Sequence, residues 1–198
     1  MYKLGITGGI GSGKSTSANF FKLKGATIFD ADEESKNLLI STLSLQNKIM
    51  QAFGSNHFIN NQFDLNELSE IAFLNPINQK ILNDIMWPEV FQLIKMTSNI
   101  AENNGDNLFI VDAALLFEAG NVDFFDSILL ITAPKSIRIE RVLNRKNIPK
   151  EQIEKRIALQ MDESMKIKLA SSIIENNGDL QKLHANLEIY FNNLQISQ

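Results

Sequence analysis

The sequence contains no cysteine, which excludes a disulfide scaffold, a cysteine zinc site and a thiol nucleophile. Its two histidines, His57 and His184, have no metal-ligand spacing around them, and we interpret both as surface or packing residues. No stretch approaches the roughly 18 uninterrupted apolar residues of a membrane span, and the first residues do not resemble an export signal. We therefore expect a cytoplasmic protein with no membrane partner.

An excess of positive charge is also missing. The formal net charge is −4, whereas a general nucleic-acid binder needs a basic face, so we expect no nucleic-acid partner. The basic residues are unevenly placed, because residues 135–168 hold ten of the 19 lysines and arginines against five acids. This segment is either a pair of solvated helices or a basic cover over phosphates, and the phosphate motif described next favours the cover.

A glycine-rich loop near the N-terminus carries the strongest motif. The run Gly8-Gly9-Ile10-Gly11-Ser12-Gly13-Lys14-Ser15 matches G-x-x-x-x-G-K-[ST] at every position. Glycines let successive N–H groups turn inward, and the helix that follows adds its positive dipole end, so the loop is an anion cradle. We expect Lys14 to reach the β and γ phosphates of ATP and the Ser15 hydroxyl to ligate Mg²⁺. The predicted ATP-binding residues are Gly11, Ser12, Gly13, Lys14, Ser15 and Thr16.

The surrounding pattern predicts an α/β fold with a parallel sheet. Apolar runs predict strands over residues 4–7, 26–29, 108–111, 127–131 and 173–174. Helices are predicted from Ser15 onward and over residues 180–194. Residues 33–104 show helical periodicity with no convincing strand, and we interpret them as an insertion that holds the second substrate. A length of 198 residues suits one domain.

Three classes of triphosphate-binding protein are compared with this pattern. A GTPase switch is excluded because Asn47-Lys48-Ile49-Met50 lacks the aspartate of the base-reading motif. A motor usually has a strand that ends in paired acids, and the strand over residues 108–111 is followed by the single acid Asp112. A dinucleotide-binding loop, which is an alternative to a triphosphate site, is also excluded because its third glycine would stand where Lys14 stands. A small kinase remains.

Two carboxylates, Asp30 and Asp32, follow the second predicted strand. In a parallel sheet this is the edge at which ligands bind. A kinase that acts on an alcohol needs a carboxylate to orient the hydroxyl and accept its proton. Either aspartate could instead cap the helix predicted from Glu33, and capping does not exclude catalysis.

At these residues the chain resembles the dephospho-CoA kinase family, over almost its whole length. The resemblance is carried by residues 4–16, Asp30-Ala31-Asp32, Asp112 with Leu115-Leu116-Phe117-Glu118, Arg141-Val142-Leu143-Asn144-Arg145, residues 156–160 and residues 174–178. The phosphate loop alone is shared by many kinases. The Asp-Ala-Asp and Leu-Leu-Phe-Glu segments at these spacings distinguish this family among them.

The resemblance implies ATP-dependent phosphorylation of the ribose 3′-hydroxyl of dephospho-coenzyme A, the last step of coenzyme A synthesis. It implies Asp32 as the catalytic base, a catalytic Arg141 and an ATP-binding Arg145 from a lid, and Asp32, Trp87 and Leu116 at the acceptor. It also implies one domain, residues 1–198, with three lobes. These are a nucleotide core over residues 1–32, 106–134 and 166–198, a helical acceptor lobe over residues 33–105, and a lid over residues 135–165.

Three positions depart from the family pattern. Trp87 stands where histidine is usual, and tryptophan can stack on a ring but cannot exchange a proton near neutral pH; packing in the core is its alternative role. Ala114 replaces the usual proline and Ser171 the usual aspartate, and we interpret both as structural. The residues alone leave a nucleoside monophosphate kinase and a nucleotide-gated binding protein open, and a monomer is the favoured state.

Overall fold

The computed structural model describes residues 1–54, 58–59, 62–145, 149–194 and 196. His57 lies outside these residues, and its interpretation stays untested. The strands are β1 (Tyr2–Thr7), β2 (Thr27–Asp30), β3 (Phe58–Ile59), β4 (Gln62–Phe63), β5 (Leu108–Asp112), β6 (Ser127–Thr132) and β7 (Ser172–Glu175). The helices are α1 (Lys14–Leu23), α2 (Ala31–Ser41), α3 (Leu43–Phe53), α4 (Leu65–Ala72), α5 (Pro76–Asn103), α6 (Lys135–Arg145), α7 (Lys150–Ala158), α8 (Glu163–Leu169) and α9 (Leu180–Asn192), with a 3-10 turn at Val122–Phe124.

A parallel sheet organises the part of the fold formed by residues 1–30 and 97–198. Among the described residues it has five strands in the order β2-β5-β1-β6-β7. Every residue of β5 is buried, because helices cover both faces of such a sheet and its central strands are apolar throughout. The register pairs Asp112 with Ile6 on one side and with Asp30 on the other. The α/β fold expected from the sequence is confirmed, and three strand ends meet at one edge.

The chain forms two compact units, residues 1–30 with 97–198 and residues 31–96. The first unit contains the sheet and a core in which α1 and α9 pack on the strands. Phe21, Leu129 and Leu187 are completely buried there. His184 lies on α9 with its ring 5.6 Å from that of Phe20, which is the packing role expected of it.

The second unit, residues 31–96, is mainly helical but not entirely so. Leu39, Leu45 and Ile49 form part of its buried side, and Gln46 donates its side-chain amide to the carbonyl of Leu39 at 3.0 Å. Helical periodicity alone was expected here, and that expectation is wrong at β3 and β4, which pair antiparallel. Two-residue strands are too short to show the alternation by which strands are recognised in a sequence.

No helix within the described ranges is long and apolar enough to cross a membrane.

Candidate active site

The loop between β1 and α1 has the backbone that the glycine-rich motif requires. Gly13 has φ +101°, and a Cβ there would lie 2.3 Å from the side-chain nitrogen of Asn176. Gly11 has φ +80°, and a Cβ there would lie 2.3 Å from the carbonyl oxygen of Arg138. Any side chain would therefore be both strained and blocked at these two positions. The glycines let the loop close tightly against two later segments of the chain.

Helix α1 begins directly after this loop. The first hydrogen bond of the helix pattern runs from the Ser17 N–H to the Gly13 carbonyl at 2.9 Å. The N–H groups of the first turn precede that bond and point out of the helix end, where an anion can accept them. Ser15 is exposed and Thr16 half-buried in this turn. The arrangement fits a phosphate group and places the Ser15 hydroxyl at its edge.

Lys14 forms an ion pair with Asp112 at the carboxyl end of β5. The Lys14 side chain is 11% exposed and that of Asp112 is 2% exposed, so both charges are largely withdrawn from water. Buried charges are tolerated when they are paired, and removing one partner leaves the other uncompensated. The pair holds an ammonium group beside the helix end and a carboxylate next to it.

Asn176, just after β7, connects the phosphate loop to α6. Its side-chain amide donates to the Ser12 carbonyl at 2.7 Å. Arg141 donates from Nη1 to the Asn176 carbonyl at 3.0 Å and from Nη2 to the Gly178 carbonyl at 3.1 Å. The guanidinium of Arg141 is therefore held by several acceptors at the same edge as the loop. Arg145, the last residue of α6, is exposed.

Arg138 lies deeper than the other two arginines of α6, with 6% of the residue exposed. Its Nε donates to the Ala133 carbonyl at 3.0 Å, and its Nη2 lies 3.4 Å from a carboxylate oxygen of Glu163. Glu163 in turn accepts the hydroxyl of Thr132. The Nη1 of Arg138 lies 2.1 Å from the position that a Cβ on Gly9 would take. Arg138 therefore touches the outside of the phosphate loop while its charge is balanced by Glu163.

A cavity of about 750 Å³ opens at the carboxyl ends of β6 and β7. Its walls include Thr132, Arg138 and Glu175, together with residues from 157–167. Asp162 at its rim caps α8 by accepting the Ser164 N–H at 3.0 Å. That hydrogen bond lowers the pKa of the Asp162 carboxyl below its ordinary value. Parallel sheets bind ligands at this edge, so the cavity lies where a ligand of such a sheet is expected.

The acceptor residues expected from the sequence lie in different parts of the chain. Asp32 is exposed in the first turn of α2, and Trp87 is half-buried in α5, both in the unit of residues 31–96. Asp30 is the exposed last residue of β2. Leu116 is only 3% exposed, and its Cδ1 would lie 2.8 Å from a Cβ on Gly5, so its side chain packs inside the first unit.

Several contacts of the phosphate loop were not predicted from the sequence. Ile10 donates its N–H to the side-chain oxygen of Gln160 at 3.2 Å, and Asn176 binds the Ser12 carbonyl. Gln160 and Asn176 belong to segments that carry the family resemblance, which was the only signal in the sequence that marked them. Ser171 accepts the Ile128 N–H at 3.0 Å through its hydroxyl, which agrees with a structural role for that departure.

A five-stranded parallel sheet with a phosphate loop after its first strand, and with Lys14 at the start of the helix that follows, is the arrangement of the P-loop kinases. The fold is shared with the shikimate kinase of Acinetobacter baumannii, with a TM-score of 0.57 at 16% identity, covering 98% of this chain and 96% of that one. A crystal structure of a Thermus thermophilus protein superimposes with a TM-score of 0.82 at 28% identity, covering 98% of each chain.

The sequence comparisons are more specific. The family model for dephospho-CoA kinase matches residues 2–182. The dephospho-CoA kinase of Fusobacterium nucleatum is 35% identical over 186 residues, which cover 93% of this chain and 94% of that protein. The chain belongs to the dephospho-CoA kinase family, and the resemblance drawn from its motifs is confirmed. It is an ATP-using kinase of coenzyme A biosynthesis.

Proposed function

We propose that this chain transfers the γ-phosphoryl group of ATP to the ribose 3′-hydroxyl of dephospho-coenzyme A, giving coenzyme A and ADP. The observation that carries the proposal is the Lys14–Asp112 pair beside the phosphate loop, in a chain that matches the dephospho-CoA kinase model over residues 2–182. Phosphoryl transfer needs little covalent chemistry from the protein, so catalysis depends on positioning and on charge. Both substrates are small molecules.

The triphosphate binds on Gly11, Ser12, Gly13, Lys14, Ser15 and Thr16 in this proposal. Support comes from the N-terminal end of α1 and from the two glycine positions that no side chain could occupy. Lys14 then shifts from Asp112 toward the β and γ phosphates, because charge grows on their oxygens as the bond breaks. Its pairing with Asp112 keeps the ammonium in place before the nucleotide arrives.

Mg²⁺ accompanies the nucleotide in the proposal. The Ser15 hydroxyl at the start of α1 and the Asp112 carboxylate at the end of β5 are oxygen donors of the kind that this hard cation selects. When bound, the ion would neutralise phosphate charge, and Ser15 and Asp112 would supply the oxygens that hold it. The donor set therefore fits the ion, with Ser15 as the ligand that the motif predicts.

The acceptor side depends on Asp32. Its exposed carboxylate lies in the first turn of α2, two residues after Asp30, the last residue of β2, which pairs with Asp112. Asp32 orients the 3′-hydroxyl and takes its proton as the oxygen attacks phosphorus. We assign acceptor contacts also to Leu116 and to Trp87, which stands where the family usually has histidine. The acceptor lobe over residues 33–105 and the lid over residues 135–165 keep the bounds given above as part of the proposal.

The state and place of the enzyme follow as parts of the same proposal. We propose that the enzyme is a monomer. We place the reaction in the cytoplasm, where ATP is supplied. Sedimentation of the purified protein at assay concentration checks the first statement, and a dimer as the only active species would contradict it.

The acceptor is tested by measuring ADP release with dephospho-coenzyme A, AMP, CMP and shikimate in parallel. We expect turnover with dephospho-coenzyme A and kcat/KM at least about a hundredfold lower with the others, because a site built to hydrogen-bond one substrate rejects analogues that leave its polar groups unpaired. Comparable turnover with AMP or CMP would instead indicate a nucleoside monophosphate kinase. Tight ATP binding without turnover on any acceptor would indicate a binding protein.

The arginines of α6 give a second prediction. Arg141→Ala and Arg145→Ala are each expected to lower kcat/KM by about tenfold or more, because a planar guanidinium can hold two phosphate oxygens at once. The two variants should differ in stability. Arg141→Ala loses its hydrogen bonds to Asn176 and Gly178 and should cost about 1–3 kcal/mol, whereas the exposed Arg145 should change stability by no more than about 0.5 kcal/mol.

Steady-state kinetics and thermal melting check both statements. Lys155→Ala serves as the control, because this α7 lysine is 64% exposed and pairs only with Glu151 among the contacts in the described residues. Near-normal kcat/KM in both arginine variants would show that residues 135–168 are simply solvated helices.

A further inference from the structure

Two sequence segments that mark the family contain residues that the chemistry proposed above does not use. These are Leu115–Glu118, after β5, and residues 156–160, at the end of α7. In the folded chain both reach the short connection between α7 and α8, where Gln160 and Met161 lie side by side. This connection lies near the end of the proposed lid, which covers residues 135–165.

Gln160 joins the connection to the phosphate loop. Its side-chain oxygen accepts the N–H of Ile10 at 3.2 Å. The Ile10 side chain packs in the same place against a small cluster formed by Ile139, Val142 and Ile153 of α6 and α7. The loop residue is therefore held both by a hydrogen bond and by apolar contact with the two helices.

Met161 joins the same connection to the segment after β5. Its N–H donates to Oε1 of Glu118 at 2.7 Å. Because Glu118 lies six residues beyond Asp112 in the chain, this bond ties the lid end to the segment that also supplies the partner of Lys14. The neighbouring residues Gln160 and Met161 thus bind two different parts of the site, the phosphate loop and the segment after β5.

Lys166 fixes the orientation of Glu118. Its Nζ lies 3.3 Å from the same Oε1 and donates to the Ala114 carbonyl at 3.4 Å. The Lys166 side chain is 1% exposed and that of Glu118 16% exposed. A charge this far from water is stable only when it is paired and hydrogen-bonded, so each of the two groups restricts the other to one place.

We infer that Glu118, oriented by Lys166, is a positioning residue that holds the end of the lid through the Met161 N–H, and that Gln160 thereby holds the Ile10 amide of the phosphate loop in its working position. Glu118, Lys166 and Gln160 do not touch the reacting atoms. Their effect comes through placement, since phosphoryl transfer is sensitive to displacements of the order of 1 Å. The inference rests on the proposed kinase reaction.

The test compares two charge-balanced double variants that differ in one acceptor. Glu118→Gln with Lys166→Met keeps an oxygen for the Met161 N–H, whereas Glu118→Ala with Lys166→Met removes it. We expect the first to stay within about threefold of the wild-type kcat/KM for ATP and the second to fall by about tenfold or more. Gln160→Ala should reproduce that fall, and the KM for dephospho-coenzyme A should change less than about twofold in all three.

The exposed pair of α7, Glu151 and Lys155, supplies the matched control, because its oppositely charged atoms lie 3.0 Å apart at the surface. Glu151→Gln with Lys155→Met should leave the kinetics unchanged. All assays are run well below the lowest Tm of the set. If the Glu118→Ala double variant does not fold, Gln160→Ala, which removes no charge, decides alone.

Binding of a non-hydrolysable ATP analogue is measured beside turnover, so that the result does not depend on the acceptor. Failure of the wild type to phosphorylate dephospho-coenzyme A would refute the proposed function, whereas the affinity pattern across the variants still decides the inference. Equal ATP parameters in the two double variants, or wild-type ATP parameters in Gln160→Ala, would overturn it.

Discussion

Lys14→Ala is expected to lower kcat by about a hundredfold or more. The physical reason is that the Lys14 ammonium stands at the N-terminal end of α1, where negative charge develops between the β and γ phosphates. Removing one such preorganised donor costs on the order of 10²–10³ in rate. The structure adds a second effect. Without Lys14, Asp112 at 2% exposure loses a buried ion pair, and we expect a loss of about 3–5 kcal/mol of stability.

Two further variants separate these effects. Lys14→Arg keeps the charge beside Asp112, so it should keep most of the stability, but its planar head differs in shape from the ammonium and should still lose most of kcat. Lys22→Ala, an exposed lysine of the same helix, should behave as wild type. Rates and melting curves measured on the same preparations decide the matter, and wild-type turnover in Lys14→Ala would refute the phosphate-loop assignment.

Asp32→Asn should lower kcat by about a hundredfold or more while ATP affinity barely changes. Asparagine keeps the size of the side chain and can still hydrogen-bond the acceptor hydroxyl, but it cannot take the proton, and a lost general base typically costs 10²–10⁴ in rate. Because Asp32 is exposed in the first turn of α2, the substitution should have little effect on folding.

Asp30→Asn is the matched control, since Asp30 stands two residues earlier and is also exposed. We expect its kcat to stay within a few-fold of wild type. Single-turnover rates and the Kd for ATP are measured for both variants. If Asp30→Asn proves the more damaging and Asp32→Asn is mild, the base has been assigned to the wrong residue.

The regular elements around the site could be predicted from local patterns. Runs such as Leu108–Val111 are apolar at every position, which is typical of strands covered on both faces, and β5 lies there in the structure, extended by one residue to Asp112. The pair β3 and β4 was missed because two residues carry no detectable period. The α/β class and the kinase family were correct because they depend on many such segments together.

The sequence by itself determined the phosphate loop, because that site is built from eight consecutive residues whose glycines set the backbone and whose lysine and serine stand at fixed offsets from the helix start. Only the tertiary structure decided which side chains support the loop. Asn176 reaches the Ser12 carbonyl across 164 residues of chain, and Lys166 meets Glu118 across 48. These two contacts form because parallel strands bring distant turns to one edge of the sheet, and no local preference of either residue specifies the other.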